Sequence, residues 1–140
     1  MGTRADFWIG RGKEADWLGS IAYDGYPDGN PGPILTADNE PSYRERVRHV
    51  IAATDSGTWP EQGWPWPWDD SSTTDYAYAF DDGKVWASCF GGPWFDPLLP
   101  DEQDRTVGER AVFPDMAARK NNPPIGDVRS GIIVISKTSL

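Results

Sequence analysis

One cysteine and one histidine are all this sequence offers of the two side chains that most often bind metals or act as nucleophile and base. Cys89 alone closes no internal disulfide, and with His49 alone it completes no zinc site within one chain. No metal and no cofactor is therefore expected. No apolar run approaches membrane-spanning length, which predicts no membrane association. The opening Met1–Asp6 has no apolar stretch of the kind a secretory signal needs. Gly2 invites a myristoylation reading, but position 6 is Asp6 where Ser or Thr is wanted. A cytoplasmic, reducing setting is the expectation.

Two further shortages are local. Between Ile51 and Leu98 the only aliphatic side chain larger than alanine is Val85. From Asp55 to Asp104 there are eleven acidic residues and one basic residue, Lys84, a balance of −10 against −9 for the whole chain. The negative charge thus belongs to the middle third. Direct nucleic-acid binding is disfavoured, because a phosphate backbone is drawn to clustered Lys and Arg. An acidic field attracts cations or basic protein surfaces instead.

What the chain has in place of aliphatics is aromatic rings: eight Trp, five Tyr and five Phe in 140 residues. Each ring buries a large area, so a folded chain is predicted although mean hydropathy is only −0.60. The length predicts one domain spanning 1–140. Fifteen Gly and thirteen Pro forbid long regular elements over much of it.

Alternation in Ala5-Asp6-Phe7-Trp8-Ile9 predicts a strand with Ala5, Phe7 and Ile9 on one face and Asp6 and Trp8 on the other. Gly10-Arg11-Gly12 turns the chain, and Trp17–Tyr23 returns as a second strand. The clearest helix runs from Pro41 to Ala53, capped by Asn39 or Ser42, with Ser42 and Glu45 spaced as a capping box. Tyr43, Val47, Val50 and Ile51 mark its apolar face. Tyr76, Tyr78 and Phe80 alternate with small or acidic residues, Asp81-Asp82-Gly83-Lys84 supplies a turn, and Val85–Phe90 returns antiparallel. A short helical turn is expected near Met116–Arg119. A last apolar run, Ser130–Lys137, reads as a central strand. The fold class is α+β: about five mostly antiparallel strands, one main helix on a face, and long Trp-, Pro- and Gly-rich loops.

The stretch Gly63-Trp64-Pro65-Trp66-Pro67-Trp68-Asp69-Asp70 has two readings. Its indoles are core for a half-domain short of aliphatics, or they are a binding surface. Tyr76, Tyr78, Phe80, Trp86 and Phe90 are read as packing. Pro65 and Pro67 hold the loop extended, and three indoles on a short loop predict at least one that is partly exposed. A stiffened, exposed Trp loses little entropy on binding. Trp64, Trp66, Trp68 and Trp94 are accordingly the candidate anchors. Asp69, Asp70, Asp81 and Asp82 would steer a basic partner and fix its register.

Catalytic signatures are absent, and no catalytic residue is assigned. The carboxylates show no spacing that singles out an acid–base pair. Cys89 falls on a core-facing strand position and His49 opposite the helix's apolar stripe, so they are not expected to meet. Gly10-Arg11-Gly12-Lys13 is followed by a strand, which favours a hairpin turn over a phosphate loop. Tyr23, Asp24, Tyr26 and Asp28 share one loop, read as a turn-rich surface or as part of a pocket for a cation or sugar.

The stretches RADFWIGRGKEADWLGSIAYDGYPDG and WPWPWDDSSTTDYAYAFDDGKVWASCFG resemble small bacterial and prophage-associated proteins. The resemblance implies a small cytosolic protein of a mobile element that acts by binding a host or competitor protein. It assigns no residue roles. The expected function is a non-enzymatic interaction module, a phage inhibitor of a host defence or nucleic-acid-binding protein of the anti-CRISPR type. The alternatives are a small-ligand binder or enzyme with an aromatic pocket formed by Tyr23, Tyr26, Trp66 and Trp86, and a structural component of a larger assembly.

Overall fold

The strand beginning at Ala5 lies inside the sheet rather than at its edge. In the computed structural model, which describes residues 2–99 and 108–120, β1 (Ala5–Ile9) is flanked by β2 (Asp16–Ile21) and by β3 (Tyr76–Asp81). A fourth strand, β4 (Lys84–Cys89), pairs with β3, giving the order β2-β1-β3-β4. The β1–β2 and β3–β4 pairings are the two antiparallel hairpins expected. The central β1–β3 pairing is parallel, so the sheet is mixed. Four strands are present among the described residues, and the fifth expected, Ser130–Lys137, lies outside them.

Strand register lines up the two ends of the sheet. One terminal row runs Ile21, Ala5, Tyr76, Cys89, and the opposite end carries Asp16, Ile9, Phe80 and Val85. These are the Ala5 end and the Ile9 end below. The two hairpin turns close the Ile9 end. At Asp82 (φ 53°) and Gly83 (φ 77°) the second turn uses the left-handed backbone that an Asp-Gly pair tolerates.

The helix, α1 (Glu40–Ala53), buries Tyr43, Val47, Val50 and Ile51 against one face of the sheet. There they meet Phe7, Ile21, Tyr78, Phe80, Val85 and Ala87. Asn39 caps its N-terminus by accepting the Ser42 amide at 2.9 Å. The expected Ser42–Glu45 box does not form, because the cap falls three residues earlier and Glu45 pairs instead with Arg48 and His49. The Tyr43 hydroxyl donates to the Tyr78 carbonyl at 3.2 Å, and burial pushes its phenol far above the usual range. Gly19 lets α1 approach β2 closely. At its φ of 136° a Cβ would lie 2.5 Å from Ile51 Cδ1 and 2.7 Å from the Thr58 carbonyl.

A second core covers the other face. Trp8 and Trp17 project there from β1 and β2, beside the small Ala77 and Ala79 of β3. Trp64, Trp66, Phe113 and Met116 close over them. The shortage of aliphatics is met here by indoles packed on one another: Trp17 and Trp64 meet edge to face at 5.2 Å, Trp8 and Trp64 at 6.2 Å. The sheet is therefore the middle of three layers, with α1 on one side and a tryptophan-bearing loop on the other.

Candidate functional site

Asp6 organises the tryptophan layer. It stands on β1 with no solvent exposure, and its Oδ1 accepts from Ser20 Oγ and from Trp66 Nε1, each at 2.6 Å. Its Oδ2 accepts from Ser71 Oγ at 2.6 Å. A second ring of donors backs the serines: Trp8 Nε1 reaches Ser71 Oγ and Trp17 Nε1 reaches Ser20 Oγ, both at 3.1 Å. Burial pushes the Asp6 carboxyl above the ordinary aspartate range, and the hydrogen bonds from Ser20, Ser71, Trp66 and Thr74 pull it part of the way back. A buried carboxyl group with this many donors ties three separate segments together.

The Pro65/Pro67 loop is fastened along its length. Trp64 Nε1 donates to the Trp68 carbonyl at 2.7 Å, Trp68 Nε1 to Thr74 Oγ1 at 2.8 Å, and Lys120 Nζ to the Pro67 carbonyl at 2.6 Å. Trp64 is 0% and Trp66 8% exposed. Neither can anchor a partner, contrary to expectation, because both indoles are buried in the core with Ala77 and Ala79 and have an internal acceptor for their N–H. Trp68 is the half-exposed member of the three. It stacks on Trp66 at 5.7 Å with 18° between planes, and the Arg4 guanidinium lies 5.5 Å from its ring. Trp94 is half-buried and packs edge to face on Phe113 at 5.4 Å, as part of the second core.

Three of the acidic residues, Asp69, Asp75 and Asp81, find counterions outside the middle third. Asp69, whose side chain is 62% exposed, pairs with Lys120 at 2.5 Å. Asp75 accepts from the Arg4 amide at 2.9 Å, and Asp81 accepts from Arg11 at 3.0 Å. Asp96 pairs with Lys84; burial pushes that carboxyl up, but the hydrogen bonds from Lys84 and the Leu98 amide, together with the ammonium charge, outweigh it and hold the carboxyl below its usual range. Asp70 caps the short turn Ser71–Thr73 by accepting the Ser72 amide at 2.8 Å. Asp82 is exposed on its turn. Asp81 and Asp82 stand at the Ile9 end of β3, whereas Trp68 and Asp75 meet Arg4 at the Ala5 end. The eight candidate residues therefore do not form one site. Trp68, Asp69 and Asp70 remain together, and the others serve packing, turns or ion pairs elsewhere.

Asp6 is sealed from any substrate. His49 is 81% exposed on the outer side of α1, while Cys89 is half-buried against the helix-side core. No group of three or more His, Cys, Asp or Glu among the described residues is placed to hold a metal ion. An open cleft of about 620 Å³ runs between α1 and the preceding loop, lined by Asn30, Pro33, Arg46, His49, Val50, Ala53 and Thr54. None of the four aromatic residues expected to wall a pocket lines it. Arg46 is engaged there with the Pro33 carbonyl at 3.1 Å and with Thr36 Oγ1 at 2.8 Å.

Three features escaped the sequence reading. Asp6 looked like the polar side of an alternating strand. Trp86 and Phe90 were read as packing, but Trp86 is half-exposed between Arg11 at 4.2 Å and Lys84 at 4.7 Å, and Phe90 is 53% exposed at φ 51°. No helix among the described residues is long and apolar enough to cross a membrane. No known protein family matches the chain, and no curated protein or solved structure matches it significantly.

Proposed function

We propose that this protein is a non-enzymatic interaction module that docks on a basic surface of another protein, with Trp68, Asp69 and Asp70 at the centre of the contact. The observation that carries this reading is the mounting of Trp68. Its ring is half-exposed, yet both its stacking partner and its N–H acceptor are fixed by the buried Asp6 network. A ring held this way loses little freedom on binding, as interface anchors require. Asp69 beside it is exposed, and its Lys120 partner is a surface ion pair that a competing cation can replace at small cost. A mobile-element protein that neutralises a host defence or nucleic-acid-binding protein, in the anti-CRISPR manner, fits such a surface.

The test compares wild-type protein with the Trp68→Ala/Asp69→Lys double variant as bait for host lysate, at low and at high salt. A partner held by the wild type at low salt and released both by salt and by the double substitution is the expected result. Equal capture by the two baits removes the reading. Trp66→Ala is unsuited to this purpose, since it would dismantle the loop itself.

Small-ligand binding has one observation in its favour, the cleft beside α1. A sugar, nucleotide or cation bound there would raise the melting temperature of the wild type and not of His49→Ala. No shift with any of these classes retires that alternative.

A further inference from the structure

We infer that the Ala5 end of the sheet is an aromatic docking edge for an arginine-bearing segment of the partner protein, with the Tyr23–Asp28 loop as its main contact. This inference rests on the interaction-module reading above and extends it to a second contact surface. Six large hydrophobic side chains are exposed among the described residues, and three of them are aromatic: Tyr23 at 57%, Tyr26 at 40% and Phe90 at 53%. Register places Tyr23 two residues past Ile21 and Phe90 one residue past Cys89, and both of those residues belong to the terminal row at the Ala5 end. Tyr26 joins them because the Gly25 amide donates to the Thr3 carbonyl at 2.9 Å, just before β1. Trp68, over Arg4, continues the row on the tryptophan side. The span from β2 to β4 is about 15 Å at ordinary strand spacing, the width of a small protein contact. The Ile9 end differs, carrying the charged turns of Arg11, Lys13, Glu14 and Asp82.

The loop is built rigidly although it reads as punctuation. Asn30 donates its amide to the Asp24 carbonyl at 2.8 Å and its Nδ2 to the Tyr23 carbonyl at 3.1 Å. The Gly29 amide donates to the Tyr26 carbonyl at 2.8 Å, and the buried Tyr78 hydroxyl to the Gly25 carbonyl at 2.7 Å. Tyr23 and Tyr26 are thus displayed on a fixed frame. Between and beside them stand Asp24 and Asp28, both exposed and in no ion pair among the described residues. Of the cations nearby, Arg4 pairs with Asp75, whereas Arg110 donates to the Phe90 carbonyl and keeps its charge beside that ring. At the tyrosine loop, away from Arg110, the unpaired charge is negative and sits next to exposed rings. Guanidinium is the group that uses both, stacking on an aromatic face while forking onto a carboxylate. Lysine would use the charge and gain less from the rings.

The experiment is a titration of the isotope-labelled protein with a short alternating Arg-Gly peptide and its Lys-Gly counterpart, followed by amide chemical shifts. The expected result is a set of shifts at Thr3, at Tyr23–Asn30 and at Phe90. The Arg peptide should bind several-fold more tightly than the Lys peptide. Tyr23→Ala/Tyr26→Ala should weaken the Arg peptide about tenfold, and Asp24→Asn/Asp28→Asn should weaken both peptides. Circular dichroism checks that each variant keeps its fold, and the asparagine pair leaves the tyrosines in place should the alanine pair fail to fold. Shifts confined to Trp68–Asp70 overturn this inference and leave the proposed function standing. Shifts confined to the tyrosine loop support the inference and remove Trp68 from the centre of the contact. Shifts scattered over isolated acids such as Asp55 and Asp82, or none, overturn both.

Discussion

At the scale of single residues the molecule depends most on Asp6. Asparagine has nearly the same shape but brings an amide donor to a place where hydroxyls and an indole already donate. Serine hydroxyls can rotate, whereas the Trp66 N–H cannot. Asp6→Asn is therefore expected to lose about 1–3 kcal/mol of stability in urea denaturation. Its pH dependence has a definite sign. Burial raises the Asp6 carboxyl, so the stability contributed by its protonated form is fully present below the usual aspartate range and is lost as pH rises through the folded-state value. Asparagine does not titrate. The deficit of the variant relative to wild type should then be larger at about pH 4 than at about pH 7, and a deficit that grows towards neutrality would contradict the assigned direction. Trp66→Phe and Trp68→Phe make a second comparison. The first leaves a fully buried acceptor without its indole donor and should cost roughly 1–3 kcal/mol. The second removes a donor from the half-exposed Trp68 to the buried Thr74 hydroxyl, which keeps its bond to Asp6, and should cost less.

Elements are held together at a few close approaches, and Gly19 is one that joins the helix to the sheet. A methyl group there meets Ile51 of α1 and the Thr58 backbone, and the backbone conformation itself disfavours a side chain. Gly19→Ala should cost about 2–4 kcal/mol in thermal or chemical denaturation, through overpacking and strain together. A near-neutral result would mean that α1 can move off β2. These elements differ in how readily they could be read from sequence. The spacing of Tyr43, Val47, Val50 and Ile51 gave the helix and its buried face, and alternation around the two turns gave both hairpins. Alternation says which side chains share a face but not which strands become neighbours, so the parallel β1–β3 pairing was not legible. For the same reason Asp6 and Trp8 were assigned to a common face, while the core waiting on that face was invisible. A loop containing only Trp, Pro and Asp has the same composition whether it closes a core or presents a surface. What decides is Ala77 and Ala79, whose small size opens the seat for the indoles.

Over the whole molecule the uneven charge of the sequence becomes a set of internal pairings. Arg4, Arg11 and Lys120 reach into the acidic third, so the free carboxylates are fewer than the sequence count suggests. Association with a basic partner should still weaken as salt rises, because Asp24, Asp28 and Asp82 remain exposed. Affinity measured at about 50 and 500 mM salt should fall by at least tenfold, given the screening of exposed charges over that range. A flat response would assign the contact to rings alone. The two faces of the sheet have a different consequence, because most of the buried indoles lie on one of them. Trp8, Trp17, Trp64, Trp66 and Trp68 occupy one side, whereas Tyr43 and Tyr78 lie on the other beneath the helix, with Trp59 as the indole packed there. Light emitted by indoles on unfolding will chiefly register release of the proline-stiffened cover, and ellipticity from α1 will register loss of the opposite layer. The protein thus carries two optical reporters, one for each side of a shared partition, and the gap between their transitions measures how tightly the two sides melt as one.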